Sequence, residues 1–299
     1  MPAISLDGVT KRYGSLTAVS NLRFNVEEGE ILGFLGLNGA GKTTTIRILL
    51  DLLRPSSGRA SIFGHDCQSD GLQARAQVGY LPAEFGLYSD LTGDEVLRFF
   101  AKLDGRGVDP AYVRDLCDRL ALPDSDLRRK LREYSSGMKR KLGILQAFQS
   151  DPKLLILDEP TEGLDPLMQE MFYGLLADVQ RRGRTIFFSS HVLSEVERVC
   201  HRVALLRQGE LVLLSTVDEC RRLAGRRVRV VFQTDVPAPR NLPSGVRALS
   251  NEPRTWSLQI DGPMAPLLQE LSSLPVADLH ISEAKLEDAV LGYYRDGTA

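Results

Sequence analysis

Residues 36–43 read Gly-Leu-Asn-Gly-Ala-Gly-Lys-Thr, and this octapeptide restricts the chain to a narrow set of folds. The pattern G-x-x-x-x-G-K-[ST] is a loop whose backbone N–H groups wrap phosphates, and it works between a strand and a helix. Both neighbours are legible. Glu30 to Leu35 is an apolar run of strand length, and Thr44 to Leu53 carries Ile46, Leu49, Leu50 and Leu53 at helical spacing. Arg54-Pro55 is expected to stop that helix, because the residue before a proline is pushed out of the helical region. Gly36, Gly39 and Gly41 admit backbone angles and close approaches that a Cβ blocks. A triphosphate site lined by Asn38, Gly39, Ala40, Gly41, Lys42, Thr43 and Thr44 is therefore expected. Lys42 reaches the β- and γ-oxygens and the Thr43 hydroxyl holds Mg²⁺, while the helix N-terminus aims its free N–H groups at the phosphates.

A second half of the site follows far downstream. Lys153 to Leu157 is a continuous apolar strand ending in Asp158-Glu159, and open α/β sheets bind ligands outside the carboxyl ends of their strands. Asp158 is expected to organise Mg²⁺ through water, and Glu159 to orient and deprotonate an attacking water. Further apolar strands at Val78–Leu81, Thr185–Ser189 and Val203–Leu206 are separated by helical patterns, most densely from Thr92 to Phe148. Strands alternating with helices predict an α/β fold whose parallel sheet is covered on both faces.

The character changes after Ala224. Thr216 and Glu219 form a capping box for a short helix. Beyond it, strands are expected at Val228–Thr234, Trp256–Ile260 and Val276–Ile281, with a proline-punctuated loop between the first two. Helices are expected at Met264–Leu271 and, as an amphipathic close, at Lys285–Tyr294. The expected organisation is an ATPase domain over 1–224, with a helical subdomain at about 85–150, and a small α+β accessory domain over 225–299.

Composition excludes several classes. A formal charge of −2 and a pI near 6.1 supply no general field for nucleic acid. No apolar run approaches the roughly 18 residues needed to span a bilayer, and the N-terminus lacks the charged and apolar regions of a signal peptide. Cys67, Cys117, Cys200 and Cys220 have no metal-binding spacing and read as reduced thiols of a cytosolic protein. Action at a membrane therefore calls for a partner that brings the chain there.

Three further motifs stand in a telling order: Tyr134-Ser-Ser-Gly-Met138, Gly163-Leu-Asp165-Pro166, and His191 after the strand ending Ser189-Ser190. With the loop and the acidic pair, they make residues 4 to 220 resemble an ATP-binding-cassette ATPase, the nucleotide-binding subunit of an ABC transporter. The resemblance implies a P-loop NTPase fold with a RecA-like mixed sheet, an antiparallel β subdomain and a helical subdomain. It implies that ATP and Mg²⁺ bind and that His191 touches the γ-phosphate. Ser135 and Gly137 would face the ATP held by a second copy, and Asp165 would lie at the dimer contact. Tyr13 sits where the family stacks an aromatic on adenine; a buried structural tyrosine is the other reading. Partners implied are a separate transmembrane permease and, in the ATP-bound state, a head-to-tail homodimer, with no nucleic acid. The segment Gly79–Thr92, read as helical, and the ending Lys285–Tyr294 are similar to a narrower group, the ATPases of ABC-2 exporters. An accessory domain of that kind can dimerise, regulate or stabilise.

Two positions depart from the family pattern. Ala83, followed by Glu84, stands where the family has a glutamine that touches Mg²⁺, and Ser136 replaces the first glycine of its signature. Both motivate a competing reading, a nucleotide-gated module with weak hydrolysis, which Glu159 and His191 oppose. A soluble cassette acting on ribosomes or DNA is the other competitor. It usually carries a second cassette, a coiled-coil insertion or a basic surface, and this sequence has none of them. A GTPase is excluded by the lack of an Asn-Lys-x-Asp motif.

Overall fold

A computed structural model describes residues 1–290 except 85, 87, 88, 106, 238, 240, 241, 284 and 288. It divides into two units, Met1–Leu214 and Ser215–Ala299. The first begins with β1 (Ile4–Tyr13) and β2 (Leu16–Val26), an antiparallel pair that turns Ile4, Leu6, Val9, Leu22, Phe24 and Val26 inward. Next come β3 (Ile31–Leu35), buried at every position as a strand covered on both faces must be, and α1 (Lys42–Leu49). This helix ends at Leu49, four residues before the expected Leu53. The cause is local: Asp51 takes φ +55°, and the N–H groups of Leu52 and Leu53 fold back onto the Arg47 carbonyl at 2.9 and 3.1 Å. The chain has already reversed when Arg54-Pro55 is reached.

β4 (Ser57–Ile62), β5 (His65–Asp66), α2 (Gly71–Arg75) and β6 (Val78–Leu81) follow. The stretch Gly79–Thr92 is not helical. Its first residues complete β6, Pro82 ends the strand, and the described residues from there to Thr92 form turns and bends. Phe85, Leu87 and Tyr88 lie outside the described residues. The helical region is α3 (Gly93–Asp104), opened by a Thr92–Glu95 capping box, then α4 (Pro110–Arg119), α5 (Asp124–Leu127) and α6 (Ser136–Phe148). The chain then returns to the sheet through β7 (Leu154–Asp158), α7 (Pro166–Arg181), β8 (Thr185–Ser190), α8 (Leu193–Val199), β9 (Arg202–Arg207) and β10 (Glu210–Thr216).

Two sheets result, in orders β2-β1-β4-β5 and β10-β9-β3-β8-β7-β6. The first is antiparallel, and in the second β6, β7, β8, β3 and β9 run parallel. Their shared core is aromatic at its centre: Phe34 lies 5.0 Å from Phe187 and 5.8 Å from Phe24, ring centre to ring centre. The mixed α/β architecture of a P-loop ATPase is thus present.

The second unit opens with α9 (Val217–Ala224), capped by the Thr216–Glu219 box, and continues through β11 (Arg226–Phe232), β12 (Val246–Glu252), β13 (Thr255–Ile260), α10 (Ala265–Leu271) and β14 (Val276–Glu283). Its antiparallel sheet has the order β12-β13-β11-β14 around Val228, Val230, Trp256, Leu258 and Ile260, with Leu267 and Leu271 from α10. β12 lies beyond the expected proline-punctuated loop, in a stretch where the sequence predicts no strand. Only Val246 of its seven residues is buried, so no alternation announces it; pairing with β13 holds it instead. The closing helix expected at Lys285–Tyr294 runs beyond the described residues, although Leu286 and Val290 are buried.

Candidate nucleotide site

The parallel register lines up three strand ends. Leu35 of β3 lies opposite Ser190 of β8, and Asp158 of β7 opposite Ser189. The loop after β3, the acidic pair after β7 and His191 after β8 must therefore emerge side by side at the carboxyl edge of the sheet. Two glycines make the loop possible. A Cβ on Gly36 would fall 2.6 Å from the Leu206 carbonyl. One on Gly41, at φ +107°, would fall 2.6 Å from the Ala18 carbonyl. Asn38 and Gly39 are exposed at the open side of the loop, Ala40 and Gly41 are buried, Thr43 is exposed and Thr44 half-buried.

Lys42 is folded back under the loop. Only 6% exposed, its Nζ donates to the Gly36 carbonyl at 2.5 Å and stands 3.3 Å from Glu159 Oε1. That distance makes an ion pair, but Oε1 has no hydrogen-bond partner of good geometry. The other Glu159 oxygen, Oε2, lies 2.8 Å from His191 Nδ1. Glu159 thus spans the lysine and the histidine. It does so with φ +48°, a left-handed conformation that side chains with a Cβ rarely adopt.

Asp158 completes the cluster. It is 1% exposed, and Thr43 Oγ1 donates to its Oδ2 at 3.2 Å. Burial pushes the carboxyl above its ordinary range, against the opposing pull of the Ser189 and Thr43 hydroxyls and of Lys42. Asp158 Oδ1 is buried without a hydrogen-bond partner. A hydroxyl beside a carboxylate with one unmet oxygen is the hard-oxygen set that Mg²⁺ takes, so these residues fit that ion.

The remaining expected residues stand apart. Tyr13, at the end of β1, is 48% exposed with Lys11 Nζ 5.1 Å from its ring centre, which removes the buried structural reading. Ser135 caps α6 by accepting the Met138 N–H at 3.2 Å, and Ser135 and Ser136 are exposed at the helix start. Asp165 caps α7 by accepting the Met168 N–H at 2.9 Å. Gly137 faces the Gly163 carbonyl, which would lie 3.5 Å from an added Cβ. Among the described residues, the hydrogen bonds of Ser135 and the ion pairs and hydrogen bonds of Lys42, Thr43, Asp158, Glu159 and His191 do not join one another.

Two buried charged residues escaped the sequence reading. Glu195 accepts from the Thr161 hydroxyl at 2.6 Å and the Ser190 hydroxyl at 2.8 Å, tying the turn after Glu159 to the strand end before His191. Arg140, hidden in the run Lys139-Arg140-Lys141, donates to carbonyls on both sides of the site. A signal existed for Arg140: it stands four and eight positions before the buried Ile144 and Phe148, so it shares their face of α6.

Known proteins resemble this chain in sequence and in fold. A family described as ABC transporter matches residues 19–162. The bacitracin transport ATP-binding protein BcrA of Bacillus licheniformis is 40% identical over 210 residues, which are 70% of this chain and 68% of the relative. An uncharacterised ABC transporter ATP-binding protein of Synechocystis is 34% identical over 280 residues, 92% of this chain and 78% of its own length. Among solved structures, an ATP-binding subunit of an ABC transporter superposes with a TM-score of 0.68 at 32% identity, covering 74% of this chain and 92% of the other.

Proposed function

The chain belongs to the ATP-binding, ATP-hydrolysing subunits of the ABC transporters, and from that premise we propose that two copies close head to tail on ATP to drive an exporter of the ABC-2 type. The observation that carries this reading is the split of the site: Lys42, Thr43, Asp158, Glu159 and His191 form one network, while Ser135 and Gly137 lie outside it. A second copy brings its own α6 N-terminus, with Ser135 and Gly137, to the open side of the loop. Residues 1–224 form the ATPase domain in this proposal and 225–299 the accessory domain.

The chemistry follows from what each side chain already touches. The loop N–H groups from Asn38 to Thr44 hold the phosphates, and Lys42 gives up the Gly36 carbonyl and Glu159 Oε1 for phosphate oxygens. That exchange frees Glu159 to take a proton from the attacking water. His191 keeps the carboxylate aimed by its contact with Oε2 and turns toward the γ-phosphate from its half-exposed place. Thr43 and Asp158 would hold Mg²⁺, which would supply charge neutralisation on the phosphates. Ala83 has no side-chain donor for that ion, so among the expected residues Thr43 and Asp158 alone would hold it.

The adenine stacks on exposed Tyr13. Base–aromatic stacking is worth about 1–3 kcal/mol, so Tyr13→Ala should weaken ATP binding roughly tenfold and leave turnover at saturation unchanged. Equilibrium titration with ATP checks the first and phosphate release the second.

In this proposal the permease docks on the same unit. A cavity of about 650 Å³ lies against β6 and α3, lined by Leu52, Tyr80, Glu84, Phe100, Leu103 and Gln146. Leu52 and Leu103 are two-thirds exposed there, an apolar offering without a partner among the described residues. No helix among the described residues is long and apolar enough to cross a membrane, so in this proposal the permease holds the chain at the inner face of the cell membrane. Export is supported by the resemblance of the chain to ABC-2 ATPases and by its likeness to a protein of bacitracin transport.

Mixing two inactive chains tests the composite site. Lys42→Ala breaks the loop and Gly137→Asp breaks the facing helix start. A head-to-tail pair of one of each holds one intact site, so the mixture should recover about a quarter of the wild-type turnover per chain. A mixture as inactive as its components contradicts the pairing.

A further inference from the structure

We propose that Arg140 is a positioning residue that locks the Asp158–Pro160 turn, and through it the Glu159 carboxylate, to the Pro82–Ala83 segment at the mouth of the β6 groove. The inference rests on the reading of Glu159 as the base. Arg140 lies on α6, is 5% exposed, and spends every donor it has. Nε donates to the Pro160 carbonyl at 2.9 Å. Nη1 donates to the carbonyls of Pro82 at 2.6 Å and Ala83 at 3.1 Å. Nη2 donates to the Asp158 carbonyl at 2.9 Å and also to that of Glu159. A guanidinium carries five N–H groups, and all five find a backbone oxygen.

The turn needs such a clamp. Glu159 holds φ +48°, a left-handed conformation that persists only where the surroundings over-determine it. Three successive carbonyls, those of Asp158, Glu159 and Pro160, converge on one place, where their negative ends repel each other unless a cation sits among them. On the far side the Glu159 N–H is fixed to the Ser189 carbonyl at 3.1 Å. The base is therefore held from two directions, and Arg140 is the direction that can be moved. Burial lowers the guanidinium to about 10, with Glu162, Asp158 and Glu159 opposing the fall, so it remains a cation at neutral pH.

The same fork reaches Pro82 and Ala83, where β6 ends and the chain turns toward Glu84. Pro82 and Glu84 both line the groove. A displacement of this segment cannot leave the turn beneath Glu159 untouched, because one rigid planar group bonds both. Lysine offers three N–H groups on a single nitrogen and cannot span the two stretches.

Arg140→Lys and Arg140→Gln test this in the full-length chain, beside wild type and Glu159→Gln. The expected result is a fall in kcat of about 10–100-fold, from a small misplacement of the base, with KM for ATP within about threefold because Arg140 touches none of Lys42, Thr43 or Tyr13. A merely structural arginine shifts the unfolding midpoint and leaves the kcat of the folded protein alone; a folded Arg140→Lys chain with wild-type kcat overturns the proposal. In the unmodified protein, the Arg140 Nε proton should exchange slowly with solvent by nuclear magnetic resonance. Free exchange overturns the proposal whether or not the variants fold. If Glu159→Gln hydrolyses ATP at the wild-type rate, the reading of Glu159 is what fails.

Discussion

Replacing Glu159 with glutamine lowers ATP turnover by about 10²–10⁴-fold, the contribution of a well-placed general base, and leaves ATP bound. The geometry explains why the two effects separate. Glu159 meets the phosphate loop only through the Lys42 ammonium, 3.3 Å from one oxygen, while its other oxygen lies 2.8 Å from His191. The neutral amide keeps the shape of the side chain but cannot take a proton from water. It also releases Lys42 from an ion pair, and that favours phosphate binding. Steady-state phosphate release measures the first effect and equilibrium nucleotide titration the second. Turnover within a few-fold of wild type removes Glu159 from the chemistry.

Lys42→Ala has an equally large effect of a different kind. It lowers kcat/KM by about 10³-fold, as loss of a preorganised donor to developing charge does, and weakens ATP binding as well. Lys42 is buried and folded back against the loop by the Gly36 carbonyl, so its ammonium is already near the place of the phosphates. Alanine removes that cation and leaves Glu159 Oε1 buried with no counter-charge. Glu159→Gln binds ATP and fails to turn it over; Lys42→Ala does neither well. Titration with ATP separates the two. Equal affinity in both variants contradicts the roles given to them.

The features legible in the sequence are those whose chemistry is local. The loop at 36–43 dictates a strand before it and a helix after it, and both are present as β3 and α1. The capping box at Thr216 marks a helix start for the same reason, since its partners are three residues apart. Errors arise where distant groups decide. The end of α1 is set by bonds folding back to Arg47, so proline spacing overshoots it. β12 is a strand because β13 pairs with it, and its residues after Val246 are exposed. In α3 the helical pattern is real, yet Phe99 and Leu103 are exposed rather than packed, because periodicity reports an apolar face and not what covers it. The gathering of Lys42, Thr43, Asp158, Glu159 and His191 followed from strand ends that any parallel sheet aligns. The partners of Arg140 did not, because the carbonyls it bonds come from residues 57, 58 and 18 to 20 positions away.

Sedimentation of the Glu159→Gln chain with and without ATP tests most directly the claim that the site is shared between two copies. Without nucleotide it should sediment as a single chain of 33.1 kDa, and with ATP and Mg²⁺ as a particle of twice that mass. Adding Gly137→Asp to the same chain should abolish the larger particle while ATP still binds. A chain that stays single at saturating ATP, or that pairs equally well with Gly137→Asp, contradicts a site completed by the partner.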